Sequence, residues 1–246
     1  MGLFWNKVKK WQESRRPRCA MIVAAAGSST RMGGENKLLM DLGGMPVLMR
    51  TLLSADRAER IDEIVVATRQ DLLLEVADIC ARAGLRKPVK VVQGGATRTE
   101  SVLAAAMECD SKTELIAVHD GARPLIRPEE IDAIIEMGAK TYAAAPAVPV
   151  NDTVKVADEN GLVKSTPERK ELYAVQTPQV FQADILKAAL QALLDSGETA
   201  TDDCAAVERI GKEVYLTDGN RENIKITTPI DLTLAEAILR RRGEIR

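Results

Sequence analysis

The chain has 246 residues, 46% of them hydrophobic, which is enough to bury a substantial core as one large domain or two small ones. Its 34 Lys and Arg residues nearly balance 36 Asp and Glu residues, and the net charge of −2 argues against a nucleic-acid partner. A single histidine excludes a histidine metal cage, and four cysteines without a C-x-x-C pair predict reduced thiols in a cytoplasmic protein rather than zinc or disulfide frameworks.

The N-terminal segment, residues 1–18, is basic and precedes the first predicted strand. It carries six Lys and Arg residues against Glu13 alone, with Phe4, Trp5 and Trp11 interleaved. Such a segment could lie on an anionic surface as an amphipathic helix, but we favour a flexible, solvated extension, because such tails are commonly disordered. Neither this segment nor any other run is apolar for the length of a membrane span, and no secretory signal is expected.

Beyond residue 18, short apolar runs typical of strands alternate with segments whose apolar residues recur at helical spacing. The predicted strands are 20–26, 63–68, 89–93, 115–120 and 142–150, and the predicted helices are 46–58, 71–84, 98–109 and 127–140. Parallel strands joined by helical crossovers form an open sheet, so we predict a Rossmann-like, doubly wound α/β fold with a mostly parallel sheet, as one domain over residues 19–246. Ligands bind such sheets beyond the carboxyl ends of the strands.

The loop after the first predicted strand, residues 24–39, reads AAAGSSTRMGGENKLL and carries Arg31 and Lys37 among glycines. It matches neither the G-x-G-x-x-G fingerprint nor the Walker A motif. An ordinary strand-to-helix turn is one interpretation, since Gly, Ser and cations are common in loops. The favoured alternative is a site for a nucleoside triphosphate, in which backbone N–H groups surround a phosphate and two cations neutralise its charge.

The loop after residue 93 has features that suit a nucleotide base. Gly94 and Gly95 stand at the predicted strand end, and Arg98 and Ser101 follow closely. Because no bulky side chain blocks the approach, the bare backbone there can read the edge of a base by hydrogen bonds.

The loop after residues 115–120 brings Asp120 and Arg123 to either side of Gly121. An aspartate at a strand end can bind a ribose hydroxyl or a metal, although a turn-forming aspartate is equally common. The neighbouring His119 is expected to be structural, because nothing nearby in sequence would make it a base or a metal ligand.

After residue 150 the pattern changes to a polar hairpin within residues 151–181. Val154 and Val156 alternate with polar residues, and a D-E-N-G turn separates them from a second apolar pair. A hairpin with so little apolar surface is poorly stable alone. We therefore expect the β-arm, about residues 151–170, to pack on another surface such as a second subunit.

The C-terminal part of the chain predicts further helices and strands. Helical spacing returns at residues 182–197 and 201–211, where Thr201 and Asp202 have the character of N-cap residues. The segments VYLTDG and NIKIT have the pattern of strands, and the last helix has a proline just inside its start. Lys225, a lone cation within NIKIT, is either a snorkelling side chain or one aimed at a site.

Seven segments together resemble the 2-C-methyl-D-erythritol 4-phosphate cytidylyltransferases of the non-mevalonate isoprenoid pathway. In chain order they are AAAGSSTRMGGENK, GGATRTESVLAA, VHDGARP, NDTVK, AVQTPQVF, TDDCAAVE and NIKITTPIDL, and they span residues from about 20 to about 240. Many members have Gly where Ser29 stands, which leaves one fewer bare backbone position against the phosphates. Ribitol-5-phosphate cytidylyltransferases share TPQ and a similar NIKITTP ending, but AAAGSSTRM and ERKELYAVQTPQVF resemble the erythritol-phosphate enzymes more closely.

The resemblance implies an enzyme in which the phosphate of methylerythritol phosphate attacks the α-phosphorus of CTP and pyrophosphate leaves. Mg²⁺ or another divalent cation would ride on the triphosphate, with Asp120 as the candidate protein ligand. Fixed cations would offset the repulsion between the two anionic reactants. By the resemblance, the catalytic cations are Arg31, Lys37, Arg169 and Lys225.

The resemblance also implies the binding residues. Those for the nucleotide are Ala25, Ala26, Gly27, Ser29, Gly95, Ala96, Arg98, Ser101, Asp120 and Gly121. Those for the polyol phosphate are Arg123, Thr153, Arg169, Glu222 and Lys225. The family further implies a homodimer with an exchanged β-arm, so that Thr153 and Arg169 serve the partner's site.

Two other classes of protein fit the sequence less well. A catalytically silent member that only binds nucleotide usually loses one of its cations, whereas all four are present here. A dinucleotide-dependent dehydrogenase would need the glycine fingerprint that is missing after the first strand. The predicted activity is therefore transfer of CMP from CTP to 2-C-methyl-D-erythritol 4-phosphate.

Overall fold

The structure, a computed structural model, describes residues 16–27 and 36–245. The predictions made for residues 1–15 and for Ser29 and Arg31 lie outside the described residues. The described chain forms one mixed sheet with helices on both faces, and a separate two-stranded hairpin.

The strands and helices alternate along the first half of the chain, as the sequence predicts. The strands are β1 (Cys19–Ala25), β2 (Glu63–Thr68), β3 (Val89–Gln93), β4 (Leu115–Asp120), β5 (Ala143–Pro149), β6 (Val156–Ala157), β7 (Val163–Ser165), β8 (Tyr173–Val175), β9 (Gln179–Gln182) and β10 (Tyr215–Asp218). The helices are α1 (Val47–Arg57), α2 (Leu73–Arg82), α3 (Arg98–Met107), α4 (Pro128–Thr141), α5 (Ala183–Ser196), α6 (Asp203–Arg209) and α7 (Pro229–Arg241).

The main sheet has the strand order β3-β2-β1-β4-β9-β5-β10, with β8 paired to β5. β1 is parallel to β2 and to β4, and its Ala24 lies opposite Ala67 and Asp120. β9 is antiparallel to both of its neighbours, β4 and β5, whereas β10 is parallel to β5. This topology confirms the predicted doubly wound, mostly parallel sheet, and it brings the carboxyl ends of β1 to β4 to one edge.

The two faces of the sheet are buried in separate hydrophobic clusters. In β1, Met21 and Val23 face the cluster that includes residues of α1, α2 and α4, while Ala20 and Ile22 face the one that includes residues of α3, α5 and α6. All four side chains are fully buried. Because both faces are covered, the strand has a continuous apolar sequence instead of alternating polar and apolar residues.

A third cluster packs the C-terminal helix near the carboxyl edge of the sheet. It joins Leu239 of α7 to Leu42, Val47, Leu125 and Ile226. Pro229 occupies the first turn of α7, where its missing N–H breaks no helical hydrogen bond. This packing holds the segment before α7 beside the loop that follows β4.

Four predictions of local structure were wrong or incomplete. NIKIT is not a strand; it runs as an irregular segment in which the Ile226 N–H donates to Ala122 O at 2.8 Å. Val154 lies outside β6, so the hairpin is shorter than its apolar pattern predicts. The strands β8 and β9 were not predicted, because each has only three or four residues and no long apolar run. Asp202 does cap α6, accepting from the Ala205 N–H, but Thr201 is not the N-cap.

The hairpin of β6 and β7 projects with its apolar side chains exposed. Its turn is closed by Asp158, whose Oδ1 accepts from the N–H groups of Asn160 and Leu162, and by Gly161 in the left-handed region at φ +83°. Leu162 is 70% exposed and Val163 51%. Within the described chain, the core clusters do not include these residues.

Two properties of the described chain concern its surroundings: the state of its cysteine thiols and the apolar length of its helices. Burial raises the pKa of all four thiols, to about 11 for Cys80 and about 12 for Cys109, and none of the four is in a disulfide. None of the helices in the described ranges has the length and apolar character needed to cross a membrane.

Candidate active site

A cavity of about 520 Å³ opens at the carboxyl edge of β1 to β4, where ligands were expected to bind. Loops that follow these four strands and the segment before α7 contribute its walls. The described residues that line it are Ala24, Ala26, Gly27, Lys37, Leu38, Arg69, Gly95, Ala96, Thr97, Arg98, Ser101, Asp120, Ala122 and Lys225.

The described lining of this cavity is rich in positive charge. It includes four cations, Lys37, Arg69, Arg98 and Lys225, and one carboxylate, that of Asp120. A concave site with this excess of cations over carboxylates has a positive electrostatic potential, which suits a polyanionic ligand such as a nucleoside triphosphate.

The loop between β3 and α3 forms a wall of main-chain atoms. A capping box fixes the helix start: Thr97 Oγ1 accepts from the Glu100 N–H at 3.1 Å, and the Glu100 carboxylate accepts from the Thr97 N–H at 3.1 Å. A Cβ on Gly94 would lie 2.6 Å from Ser101 Oγ, and one on Gly95 would overlap Glu100. Glycines therefore let this loop close over the start of the helix, where Gly95 and Ala96 line the cavity.

Asp120, the last residue of β4, is surrounded by three cations. Its Oδ2 lies 2.9 Å from Lys225 Nζ and 3.4 Å from Arg123 Nε, and its Oδ1 lies 3.8 Å from Arg98 Nη2. Burial alone would raise the pKa of this carboxyl, but Lys225, Arg98 and Arg123 together lower it to about 2. Asp120 is therefore charged at neutral pH and organises the cations around it.

Lys225 is aimed at the cavity by the residues on either side of it. Ile226 is fully buried in the cluster around α7, and Ile224 packs against the same cluster. In an extended segment, successive side chains point to opposite sides, so Lys225 points away from that cluster and reaches Asp120. Of the two interpretations left open for Lys225, the structure favours the aimed side chain.

His119 lies fully buried behind Asp120 in a hydrogen-bonded chain. The Asp120 N–H donates to Thr177 Oγ1 at 3.0 Å, and the same hydroxyl lies 3.0 Å from His119 Nδ1. Because the Arg123 carbonyl can only accept, His119 Nε2 carries the proton of the neutral ring and donates to Arg123 O at 3.2 Å, and Nδ1 accepts from the Thr177 hydroxyl. Burial lowers the pKa of His119 to about 4, so the ring is neutral, which confirms the expectation of a structural role.

We expect the folded chain to lose about 2 kcal/mol of stability between pH 7 and pH 5 through His119 alone. The pKa of about 4 lies below the ordinary value of 6.5, so the unfolded chain binds the proton first as the pH falls. The contribution is complete above pH 6.5 and is lost toward pH 4. Urea unfolding at a series of pH values in metal-free buffer measures it.

The matched variant for this measurement is His119→Gln, in which a side-chain amide replaces the imidazole and does not titrate. Because His119 is the single histidine of the sequence, the pH slope in this window should largely disappear in the variant. An equal slope in both proteins would mean that other groups carry the pH dependence.

Three predicted binding residues lie beside the cavity without lining it: Ala25 and Gly121, predicted for the nucleotide, and Arg123, predicted for the polyol phosphate. Ala25 is buried in the core, and the Gly121 N–H donates to Ala24 O at 3.0 Å, which ties the loop after β4 to β1. Arg123 lies behind Asp120 and donates to Asn223 O at 2.7 Å. Gly121 and Arg123 therefore contact residues that line the cavity, Ala24 and Asp120, without lining it themselves.

The residues predicted to bind the polyol phosphate are not all brought together in one chain. Thr153 and Arg169 lie on the arm, where Arg169 Nη1 donates to Asn151 O at 3.0 Å. Glu222 is bound by Arg242, Arg127 and Arg241, and the hydrogen bond from Arg242 is the main cause of its lowered pKa. Neither the two arm residues nor Glu222 lines the described cavity.

Sequence reasoning missed five lining residues: Ala24, Leu38, Arg69, Thr97 and Ala122. Arg69 directly follows β2, and its Nε donates to Asp71 Oδ1 at 2.9 Å. A cation at the carboxyl end of a predicted strand was the signal that could have identified it. Thr97 could have been found as the first residue of a T-x-x-E capping box.

A cation-lined cavity at the carboxyl edge of a mostly parallel sheet, beside a glycine loop that closes over the start of a helix, defines an α/β nucleotidyltransferase. A sequence model of the IspD family, 2-C-methyl-D-erythritol 4-phosphate cytidylyltransferase, matches residues 19–241. The chain belongs to this family and is a cytidylyltransferase.

Known relatives agree with this assignment along nearly the whole chain. A 2-C-methyl-D-erythritol 4-phosphate cytidylyltransferase from Caldanaerobacter subterraneus subsp. tengcongensis is 42% identical over 89% of this chain and 98% of its own. One of the same name from Symbiobacterium thermophilum is 42% identical over 89% and 92%. The crystal structure of 4-diphosphocytidyl-2C-methyl-D-erythritol synthase from Anaerococcus prevotii aligns with a TM-score of 0.82 at 33% identity, over 91% of this chain and 96% of that one.

Proposed function

We propose that the chain transfers the cytidylyl group of CTP to 2-C-methyl-D-erythritol 4-phosphate in non-mevalonate isoprenoid biosynthesis. The products are 4-diphosphocytidyl-2-C-methyl-D-erythritol and pyrophosphate. The observation that carries this proposal is the cavity itself, whose described lining combines Lys37, Arg98 and Lys225 with a single carboxylate, that of Asp120.

The reaction asks the protein for positioning and charge, not for proton transfer. An oxygen of the acceptor phosphate forms a bond to the α-phosphorus, and the bond from that phosphorus to the pyrophosphate oxygen breaks. No proton moves in this exchange, which fits a site whose histidine is buried and neutral. Lys37, with Arg31, would neutralise the α-phosphoryl oxygens and the departing pyrophosphate.

The nucleoside end of CTP would bind between the loops after β3 and β4. Gly95, Ala96 and Ser101 line the cavity there, and we expect them to contact the cytosine and to exclude a purine by size. Asp120, which lines the same cavity, would bind a ribose hydroxyl or a metal carried by the phosphates.

The residues present fit a divalent cation only if the phosphates carry it. Asp120 is the one carboxylate in the described lining, and no group of three or more His, Cys, Asp or Glu residues forms a metal site within the described chain. Mg²⁺ typically binds through one or two carboxylates together with substrate phosphates. When bound, Mg²⁺ would neutralise phosphate charge, and Asp120 would be its protein ligand.

The acceptor would bind with help from a second subunit. Thr153 and Arg169 do not line the cavity of their own chain, and the arm that carries them exposes its apolar side chains. Burial of this arm against a partner would remove apolar surface from water and deliver both residues to the partner's site. We therefore propose a homodimer with an exchanged arm, about residues 151–170, built on a single domain that begins at residue 19.

We also propose that the protein works in the cytoplasm. Four free thiols, all with raised pKa values, suit a reducing compartment in which the substrates of such a transfer are made.

The proposed function predicts rapid pyrophosphate release from CTP and 2-C-methyl-D-erythritol 4-phosphate. Release should be far slower when ribitol 5-phosphate replaces the acceptor, because the family whose sequence model matches residues 19–241 is the 2-C-methyl-D-erythritol 4-phosphate cytidylyltransferases. It should also be far slower with ATP or GTP, because we expect a purine to be excluded by size beside Gly95. A coupled pyrophosphate assay with each combination measures these rates.

Equal or faster release with ribitol 5-phosphate would assign the protein to the ribitol-phosphate enzymes instead. Binding of CTP with no release from either acceptor would indicate a nucleotide-binding module without catalytic activity.

A further inference from the structure

Arg98 lies between two carboxylates at the inner wall of the nucleotide cavity. It is the first residue of α3, and its Nη1 donates to Asp203 Oδ2 at 2.7 Å. Its Nη2 lies 3.8 Å from Asp120 Oδ1, which is beyond hydrogen-bond distance. The guanidinium is therefore bound to Asp203 and only faces Asp120.

Asp203 is anchored to the central sheet and does not move with Arg98. It begins α6, is 1% exposed, and its N–H and that of Cys204 both donate to Gln179 Oε1 at 3.1 Å. Gln179 lies on β9, and its Nε2 donates to Asp202 Oδ2 at 2.7 Å. Asp203 thus sets the position of the guanidinium.

The two oxygens of Asp120 have different surroundings. Oδ2 is occupied by Lys225 Nζ at 2.9 Å and by Arg123 Nε at 3.4 Å. Within the described chain, the cation that faces Oδ1 is Arg98, at 3.8 Å. Because that separation is too long for a direct hydrogen bond, Oδ1 keeps its lone pairs for a ligand in the cavity.

We propose that Asp203 is a positioning residue that holds Arg98 away from Asp120 and so keeps Asp120 Oδ1 open to the nucleotide or to the metal that the nucleotide carries. A movement of about 1 Å would bring Arg98 into a charge-assisted hydrogen bond with Asp120. Without the charge of Asp203, the guanidinium turns to its remaining carboxylate, and a nucleotide must then break that pair. The inference rests on the proposed function, since it takes CTP as the ligand.

The test begins with Asp203→Asn, which keeps the side-chain shape and removes its charge. Isothermal titration calorimetry with CTP and Mg²⁺, at a temperature where each protein is fully folded, should show a Kd about tenfold higher than in the wild-type chain. The kcat at saturating CTP should change by less than about threefold, because Asp203 does not touch the reacting atoms. A loss of folded protein alone would not produce this split.

A second experiment repeats the Asp203→Asn substitution in an Arg98→Met background. With no guanidinium to release onto Asp120, Asp203→Asn should change the Kd for CTP by less than about twofold there. If Asp203→Asn melts below the assay temperature, Asp203→Ser replaces it in both backgrounds, since Ser is also small and polar at a helix start.

The matched control is Asp202→Asn, which removes a charge one residue away, where the carboxylate is bound by Gln179 and the Ala205 N–H. Its Kd for CTP should stay within about twofold of the wild-type value, because asparagine also caps helices. An unchanged Kd in Asp203→Asn, or an equal rise in both backgrounds, would overturn the positioning role. A wild-type chain that does not bind CTP would instead overturn the proposed function.

Discussion

Replacing Lys37 by alanine is expected to lower kcat by roughly 10²–10³-fold and to leave the chain folded. Lys37 lines the cavity next to Leu38, which is 3% exposed and anchors the turn in the core. The main chain of the turn that carries Lys37 is therefore held in place at the cavity before the substrates arrive. In the proposed reaction, charge builds on the α-phosphoryl oxygens and the pyrophosphate, so a fixed cation stabilises the transition state more than the bound substrates. Steady-state kinetics with both substrates saturating measure the effect.

The control for Lys37→Ala is Lys112→Ala. Lys112 is exposed on the loop before β4, at the opposite edge of the sheet from the cavity, so it changes the net charge equally without touching the site. Its kcat should match that of the wild-type chain. If Lys37→Ala melts normally and keeps its kcat, Lys37 is a solvated loop residue and has no part in the transfer.

Mixing two inactive variants is expected to restore activity at about a quarter of all sites, if the arm is exchanged between subunits. The variants are Lys37→Ala and Arg169→Ala, produced together in one cell. In a mixed dimer with an exchanged arm, one site combines the intact Lys37 of the Arg169→Ala chain with the intact Arg169 of the Lys37→Ala chain. The other site of that dimer lacks both side chains. Random pairing makes half of the dimers mixed, which gives the expected fraction.

The comparison requires two further measurements. Each variant alone sets the background rate, and two different affinity tags purified in sequence show that mixed dimers are present. If Arg169 acts on its own chain, every site of a mixed dimer carries one defect, and the rate stays at the background. That result, in a preparation shown to contain mixed dimers, would contradict the exchanged arm and leave Arg169 acting within its own subunit.

The sequence predicted the architecture well where the burial of apolar side chains determines the local structure. β1, β2 and β4 are almost completely buried, so their apolar runs alone mark them as strands, and the order of the strands along the chain implies the edge at which ligands bind. Gly95 and Asp120 were found for a related reason, since Asp120 ends a strand and Gly95 lies just beyond one. The partner of Arg98 was not found, because the contact between Asp203 and Arg98 joins positions 105 residues apart.

The failures have equally specific causes. NIKIT alternates apolar and polar residues as a strand does, but its isoleucines pack on α7 and not on a neighbouring strand. β9 lies between two antiparallel neighbours and has four residues, too few to show a period. The role of Glu222 came from the family resemblance alone, and the structure surrounds it with arginines from α7 and the loop before α4. Long-range charge pairing of this kind leaves no local pattern in a sequence.

The main-chain wall between β3 and α3 has a consequence for inhibitor design. A compound that fills this part of the cavity and hydrogen-bonds to backbone atoms depends on groups that every amino acid carries, so few substitutions could abolish its binding. The side chains that could intrude are restricted as well, because any residue larger than glycine at position 95 would collide with Glu100, which closes the capping box of α3. A substitution in this loop that confers drug resistance would therefore also disrupt the start of α3, the helix beside the cavity.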